Sequence, residues 1–370
     1  MTTRGRDSYV AEHGEADVEA GEPADWEARL EGVAAAFDRG AHPEALAGAD
    51  ALLAEDDCLT EALHWRAAAL TELGRLDEAL ETYSRAVKLA PDDLELLLSA
   101  TECLVGRVGD DREAVEDGLA LCARGRKLAQ RAGDLELLFE FLLWEGIGLN
   151  QVGECARALT SLEAALGHVP RSVEARLERA IALFELCRFG EADAALEELL
   201  GDAPDEPWAH HYLGLLAERR ADGKGALGHF ARARALAPEE FPPPVELGEE
   251  AFDKAVEDAV KALPGHVKEY LDNVTLAVEE IPKDEDLMGE SPPLSPCILG
   301  VFRGSPVGER HSILGTFDPY PASIVLYQKN LERFARTREE LIEQIGITVM
   351  HEVGHLMGLD EEDLWQRGLD

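Results

Sequence analysis

Residues 60–93 read TEALHWRAAALTELGRLDEALETYSRAVKLAPDD, and the way this stretch repeats decides what most of the chain must be. Within its 34 residues a small residue, Ala67, stands at position 8, Ala79 at position 20, Ala86 at position 27 and Pro91 at position 32. Units beginning at Phe139, Val173 and Pro207 repeat the spacing without slippage, with Gly146, Ala180 and Gly214 at position 8. Ala158, Ala192 and Ala226 follow at position 20, and Pro170, Pro204 and Pro238 at position 32. Small residues on two successive helices let their axes approach closely, and a proline ends the second helix before the next pair begins. The pattern therefore predicts stacked helical hairpins.

These units closely resemble the tetratricopeptide repeat. Trp26–Leu59 fits as a weaker first unit with Ala45 at position 20, although Asp57 stands where the proline belongs. Leu94–Leu138 spans 45 residues rather than 34, so one hairpin carries extra length, expected in a long second helix around Arg112–Arg131. The count is six hairpins. The resemblance implies an all-α solenoid whose concave face binds a protein or peptide partner, or one that scaffolds the chain's own C-terminal domain.

Composition bounds the rest. Across 370 residues, 46% are hydrophobic, enough for a sizeable core in two or three domains. Asp and Glu outnumber Lys and Arg by 75 to 35, a net charge of -40. That excess argues against nucleic acid or an anionic membrane surface as a partner, since both are polyanions. The six cysteines, at 58, 103, 122, 155, 187 and 297, form no CxxC pair. They read as free thiols in a reducing, cytoplasmic setting. No window has the length of a transmembrane helix and no apolar signal core opens the chain.

The expected organisation is a polar, acidic tail over 1–24, the solenoid over 25–240, a proline-rich linker over 241–249 and an α+β domain over 250–370. Pro242-Pro243-Pro244 breaks the helical pattern. After it, an amphipathic helix near Leu247–Ala262 should precede strands at Val274–Val278, Cys297–Phe302 and Ala322–Tyr327.

The chemistry is carried by His351-Glu352-Val353-Gly354-His355-Leu356-Met357-Gly358. Helical residues four apart share a face with Cβ atoms about 5 to 6 Å apart, so His351 and His355 can bring two imidazole nitrogens to one zinc ion. Glu352 is turned about 100° from the first histidine. It leaves the ligand line but can reach a water at the ion as general base. Thr337-Arg338-Glu339-Glu340 reads as a capping box and Gly358 as the helix stop. Between them Leu341, Ile345, Val349, Val353 and Leu356, among other apolar residues, predict a helix buried on most sides.

From about Phe252 onward a second resemblance appears. Leu263-Pro264, Leu271-Asp272-Asn273-Val274, Leu299-Gly300-Val301-Phe302-Arg303-Gly304, Gly308-Glu309-Arg310, Ile324-Val325-Leu326-Tyr327, Leu331-Glu332-Arg333 and the histidine motif follow one another in the order seen in the small bacterial zincin-like metallopeptidases, the minimal zincins. This resemblance implies a zincin fold, bound zinc and hydrolysis of a peptide or protein substrate. It also implies a third, acidic ligand ten residues after the first histidine, where the family has Asp and this chain has Glu361. Asp360, one residue earlier, is the alternative ligand. Asp caps a helix far better than Glu, so Asp360 is expected to cap a short final helix and leave Glu361 for the metal. Arg310 and Tyr327 could polarise a carbonyl, but a surface ion pair and a strand-packing tyrosine are the simpler readings. His210, His211 and His311 have no second ligand at metal spacing and read as structural or surface residues. Two functions stand: a zinc peptidase whose repeats recruit or regulate, and a non-catalytic interaction scaffold with a structural zinc. An intact Glu352 favours the first.

Overall fold

The computed structural model describes residues 23–108, 111–272, 274–289, 291–304, 322–360 and 363–364. Six helical hairpins come first: α1 (Pro23–Asp38) with α2 (His42–Leu53), α3 (Thr60–Glu72) with α4 (Leu76–Leu89), and α5 (Leu94–Thr101) with α6 (Arg112–Ala132). Then follow α7 (Leu135–Gln151) with α8 (Cys155–His168), α9 (Val173–Glu185) with α10 (Phe189–Asp202), and α11 (Pro207–Arg219) with α12 (Gly223–Leu236). The extra length of the third hairpin lies where the spacing predicts it. Helix α6 has 21 residues against 14 in α8, and a π-helical stretch, Glu102–Arg107, extends α5. Helix α7 starts one turn before the repeat register, because Asp134 Oδ1 accepts hydrogen bonds from the backbone of Glu136 and Leu137 and caps it there.

The small-residue rule holds at every hairpin in register. Ala67, Ala79, Ala158, Ala180 and Ala192 are fully buried. A Cβ on Gly146 of α7 would lie 2.4 Å from Leu162 Cγ of α8, and one on Gly214 of α11 would lie 2.6 Å from the Phe230 ring of α12. Contacts among Cα atoms divide the chain into two compact units, Met1–Leu121 and Cys122–Asp370. The division falls inside α6.

In the second unit the proline-rich stretch after α12 is pinned at both ends rather than free. The ring of Phe241 sits 4.7 Å from that of Trp208 and stacks on His211 at 4.9 Å. Further on, the Val245 and Leu247 amides donate to the backbone and side chain of Glu332.

There follow α13 (Glu249–Ala262), α14 (Gly265–Leu271), β1 (Thr275–Glu279), α15 (Asp284–Leu287), β2 (Gly300–Arg303), β3 (Ser323–Tyr327), α16 (Gln328–Phe334) and α17 (Arg338–Leu356). The three strands stand in the order β1-β3-β2. β1 runs parallel to β3, Ala277 opposite Val325, and β2 antiparallel, Gly300 opposite Leu326. The central strand reads as a continuous apolar run because it is covered on both faces: Ile324, Val325, Leu326 and Tyr327 are all 0% exposed. Phe252 and Ala255 of α13 and Leu341, Ile345 and Val349 of α17 close over the core it helps to form. β2 begins three residues later than its apolar run suggests. The Pro296 and Ile298 carbonyls accept from the Asn330 side chain rather than from a neighbouring strand.

One chemical change should have opposite signs at two glycines. Gly146→Ala inserts a methyl into the Leu162 side chain and should cost about 1 to 3 kcal/mol. Gly228→Ala, in α12 with nothing within 4 Å of the new Cβ, should add about 0.5 to 1 kcal/mol by restricting the unfolded chain. Urea midpoints of the two variants read the difference.

Candidate metal centre

Helix α17 is delimited as its sequence demands. Thr337 Oγ1 accepts from the Glu340 amide at 3.1 Å, and Glu340 Oε2 reaches back to the Arg336 amide at 2.8 Å. That reciprocal pair is one residue wider than the usual capping box. At the other end Gly358 takes φ +86, the Leu359 amide donates to Gly354 O, and the Gly358 amide donates to His355 O. This is the Schellman arrangement that closes a helix and reverses the chain.

Burial leaves one lane of α17 open. Glu343 is exposed and Ile347, His351 and His355 are half-buried, each four residues after the last, while Leu341, Ile345, Val349, Val353 and Leu356 face the core. Along this lane His351 Nε2 and His355 Nε2 converge to 3.1 Å. The His355 Nδ1 lies 3.1 Å from the Leu359 carbonyl. A carbonyl only accepts, so Nδ1 carries the proton and Nε2, beside His351 Nε2, carries the lone pair. The turn at Gly358 thus fixes the tautomer and the orientation of this ring, which the sequence does not disclose.

Glu352 is 5% exposed and faces β2. A Cβ built on Gly300 would lie 3.5 Å from Glu352 Cγ and 2.7 Å from Thr348 Cγ2. The strand therefore passes directly over the carboxylate-bearing side of the helix. On its opposite flank a Cβ on Gly354 would meet Leu364 Cδ2 at 2.2 Å, and Leu364 is fully buried. Loss of that Cβ lets the chain return over the end of α17 beside His355.

On this return Asp360 Oδ1 accepts from the Asp363 amide at 2.9 Å, and Asp360 O accepts from the Leu364 amide. Its carboxylate is engaged as a helix cap, the expected role. Glu361 and Arg310 lie outside the described residues. Tyr327 is buried with its hydroxyl on Asp286 Oδ2 at 3.0 Å, which makes it a strand-packing residue. His210 pairs with His229, and His211 stacks on Phe241. Burial, then the Arg333 charge, pushes His211 down to about 4, so it is neutral at pH 7. Among the described residues, three donor groups within reach of one ion occur at Asp56, Asp57 and Cys58. That turn is exposed, and Asp57 already pairs with Arg85 and accepts from Cys58.

Around β2 a half-buried polar knot holds the sheet edge to α15. Arg303 forks onto both oxygens of Asp286 at 2.7 and 2.6 Å and reaches Glu279 at 3.0 Å. Burial favours the neutral Asp286 carboxyl, but the hydrogen bonds from Arg303 and Tyr327 outweigh it and hold the group below its usual range. The same surroundings, burial first and the Asp286 charge next, push the Tyr327 phenol upward.

A sequence model of the zincin-like metallopeptidase family matches residues 271–369. Tetratricopeptide-repeat models match 60–93 and 149–218. The chain thus carries tetratricopeptide repeats followed by a zincin-like metallopeptidase domain. No curated protein matches it. Among solved structures it is similar to PilW, a type IV pilus biogenesis factor, with 18% identity over 58% of this chain and 94% of that one and a TM-score of 0.49. Pseudomonas aeruginosa PilF gives 16% identity, 62% and 96% coverage and 0.47, and the tetratricopeptide-repeat protein YrrB gives 18%, 52% and 93%, and 0.38.

The family implies a metal, typically zinc, and the donor set fits one. Two imidazole nitrogens on one tetrahedral zinc, each at about 2.0 to 2.1 Å, stand roughly 3.3 Å apart, close to the separation of the two Nε2 atoms.

The polar knot gives a pH signature. Asp286 has a folded pKa below its unfolded value of about 3.9, so its stabilisation is full above that value and is lost as pH falls through the folded one. The gap in urea midpoint between the parent and Asp286→Asn should be constant from pH 8 to about 5 and close below about 4. A gap that widened in acid would contradict the network.

Proposed function

We propose that the protein is a zinc-dependent peptidase, with His351, His355 and Glu361 holding the metal and Glu352 as general base. The observation that carries this reading is the convergence of the two Nε2 atoms on the open lane of a buried helix, with the Glu352 carboxylate one residue away under β2. When bound, the metal lowers the pKa of a coordinated water and polarises the peptide carbonyl. Glu352 takes the proton from the attacking water and hands it to the leaving amine nitrogen, so that the peptide C–N bond breaks to a carboxylate and an amine. Its buried position under β2 keeps bulk water away from this transfer. Asp360, committed to its cap, supports Glu361 as the third ligand.

In this proposal residues 1–24 are a tail, 25–240 the repeat region, 241–249 the connector and 250–370 the peptidase domain. The repeats recruit a protein or peptide. In the first unit Phe37, Trp65, Tyr83, Glu95 and Arg107 help line a cavity of about 350 Å³ in which a partner side chain can be held. None of the six cysteines forms a disulfide, which supports a reducing, cytoplasmic setting. No helix among the described residues is long and apolar enough to cross a membrane.

Two sets of variants test the site. Glu352→Gln keeps the shape of the side chain but not its basicity, so it should retain one zinc per chain and lose hydrolysis of an unstructured peptide by about 10² to 10⁴-fold. His351→Ala should lose the zinc itself, read by metal analysis. A Glu352→Gln protein as active as its parent would overturn Glu352 as the general base and with it this mechanism. For the third ligand, Glu361→Ala should weaken zinc retention strongly. Asp360→Ala should cost about 0.5 to 2 kcal/mol of stability through its cap and leave the metal in place.

A further inference from the structure

The connection between the last repeats and the strand beside Glu352 is built from side chains, and it runs through Arg333. Arg333 Nη1 donates to Glu218 Oε2 of α11 at 2.7 Å, and Nη2 donates to Asn330 Oδ1 at 2.8 Å. Asn330 in turn donates through Nδ2 to two carbonyls, Pro296 O at 3.1 Å and Ile298 O at 2.7 Å. One residue further, Leu299 O accepts from the Tyr327 amide and the chain enters β2 at Gly300, over Glu352.

Each link depends on the one before it. The two carbonyls need a donor, so Asn330 must turn its NH₂ toward them and its Oδ1 away. A guanidinium has only donors, and one placed on Oδ1 makes the flipped amide unfavourable at both ends. Arg333 can hold that place because Glu218 anchors its other nitrogen. The pair is largely shielded, with side-chain exposures of 21% and 13%, so it is not the weak surface type. The same strip of chain meets the turn after α9 as well, where Cys187 Sγ approaches Leu294 O. Nearby, Arg219 of α11 reaches Pro282 O and Asp284.

We propose that Arg333 is a positioning residue through which the sixth repeat hairpin sets the strand over Glu352, making the solenoid part of the peptidase site rather than a detachable recognition module. This deepens the peptidase reading and rests on it for its consequence for catalysis, but not for the mechanical link itself.

The test uses the full chain. In Arg333→Ala, amide hydrogen exchange over residues 298–303 should rise about tenfold or more, while exchange in α3 and α4 and the zinc content stay as in the parent. With an unstructured fluorogenic peptide as substrate, kcat should fall about tenfold with KM within about twofold, because a shifted wall misplaces the base without removing binding groups. Glu218→Gln keeps an acceptor for Arg333 and should stay near the parent, whereas Glu218→Ala should behave as Arg333→Ala does. If Arg333→Ala fails to fold, Glu218→Ala carries the comparison. A folded variant with parental exchange over 298–303 overturns the proposal. If the parent cleaves no peptide, the peptidase reading fails and exchange alone decides the link. If the parent cleaves and the variants match it in both measurements, the link fails while the peptidase reading stands.

Discussion

Helix α17 can lie where it does only because nothing larger than hydrogen stands at two points along it. Gly300 lets β2 cross the Thr348 and Glu352 side of the helix, and Gly354 lets Leu364 seat against its end. Core packing at near-crystalline density leaves no slack for a methyl at either contact. The consequence is chemical as well as steric. One side of the helix is sealed with a carboxylate inside it, and the lane that carries both histidines stays open.

The same economy of volume builds the repeats, where alanine or glycine at two positions per unit sets the distance between paired helices. There the closeness is generic and every hairpin solves it alike. In the C-terminal region it is particular, because each contact has a different partner. Apolar packing can place such elements but tolerates small slips, since hydrophobic attraction has no direction. Direction comes from the polar ties. Helix α16 supplies several within seven residues: Lys329 to Glu280, Asn330 to Pro296 and Ile298, Glu332 to Leu247, and Arg333 to Glu218. A buried donor or acceptor left unmade costs about 1 to 3 kcal/mol, so a register that broke several of these together would be strongly disfavoured.

Charge has a local meaning here that the net value of -40 hides. Several of the described arginines are spent as clamps: Arg303 on Asp286 and Glu279, Arg333 on Glu218, Arg126 on Glu145. The clamps near β2 and α16 hold the framework around the candidate centre. Acid in excess elsewhere sits mainly on the surface, as the exposed carboxylates of α4 and α10 do.

The sequence by itself determined the repeats, because a hairpin's helix spacing is a local matter written in each unit at fixed positions. It determined the histidine helix with its cap and stop for the same reason, and the three strands to within a few residues. It placed Asp360 as a cap, a contact within three residues. What only the tertiary structure decided are interactions between residues far apart in the chain with no period to announce them. The Leu359 carbonyl that fixes His355 is one hydrogen bond past a turn. The Asn330 clamp that delays β2 joins a short helix to a loop more than thirty residues earlier. The proline-rich connector reads as a linker, since its composition excludes helix, yet Phe241 and Glu332 fasten it at both ends. Periodicity reports how a segment folds on itself, whereas these ties depend on which segments meet, and that is set by the packing of the whole unit.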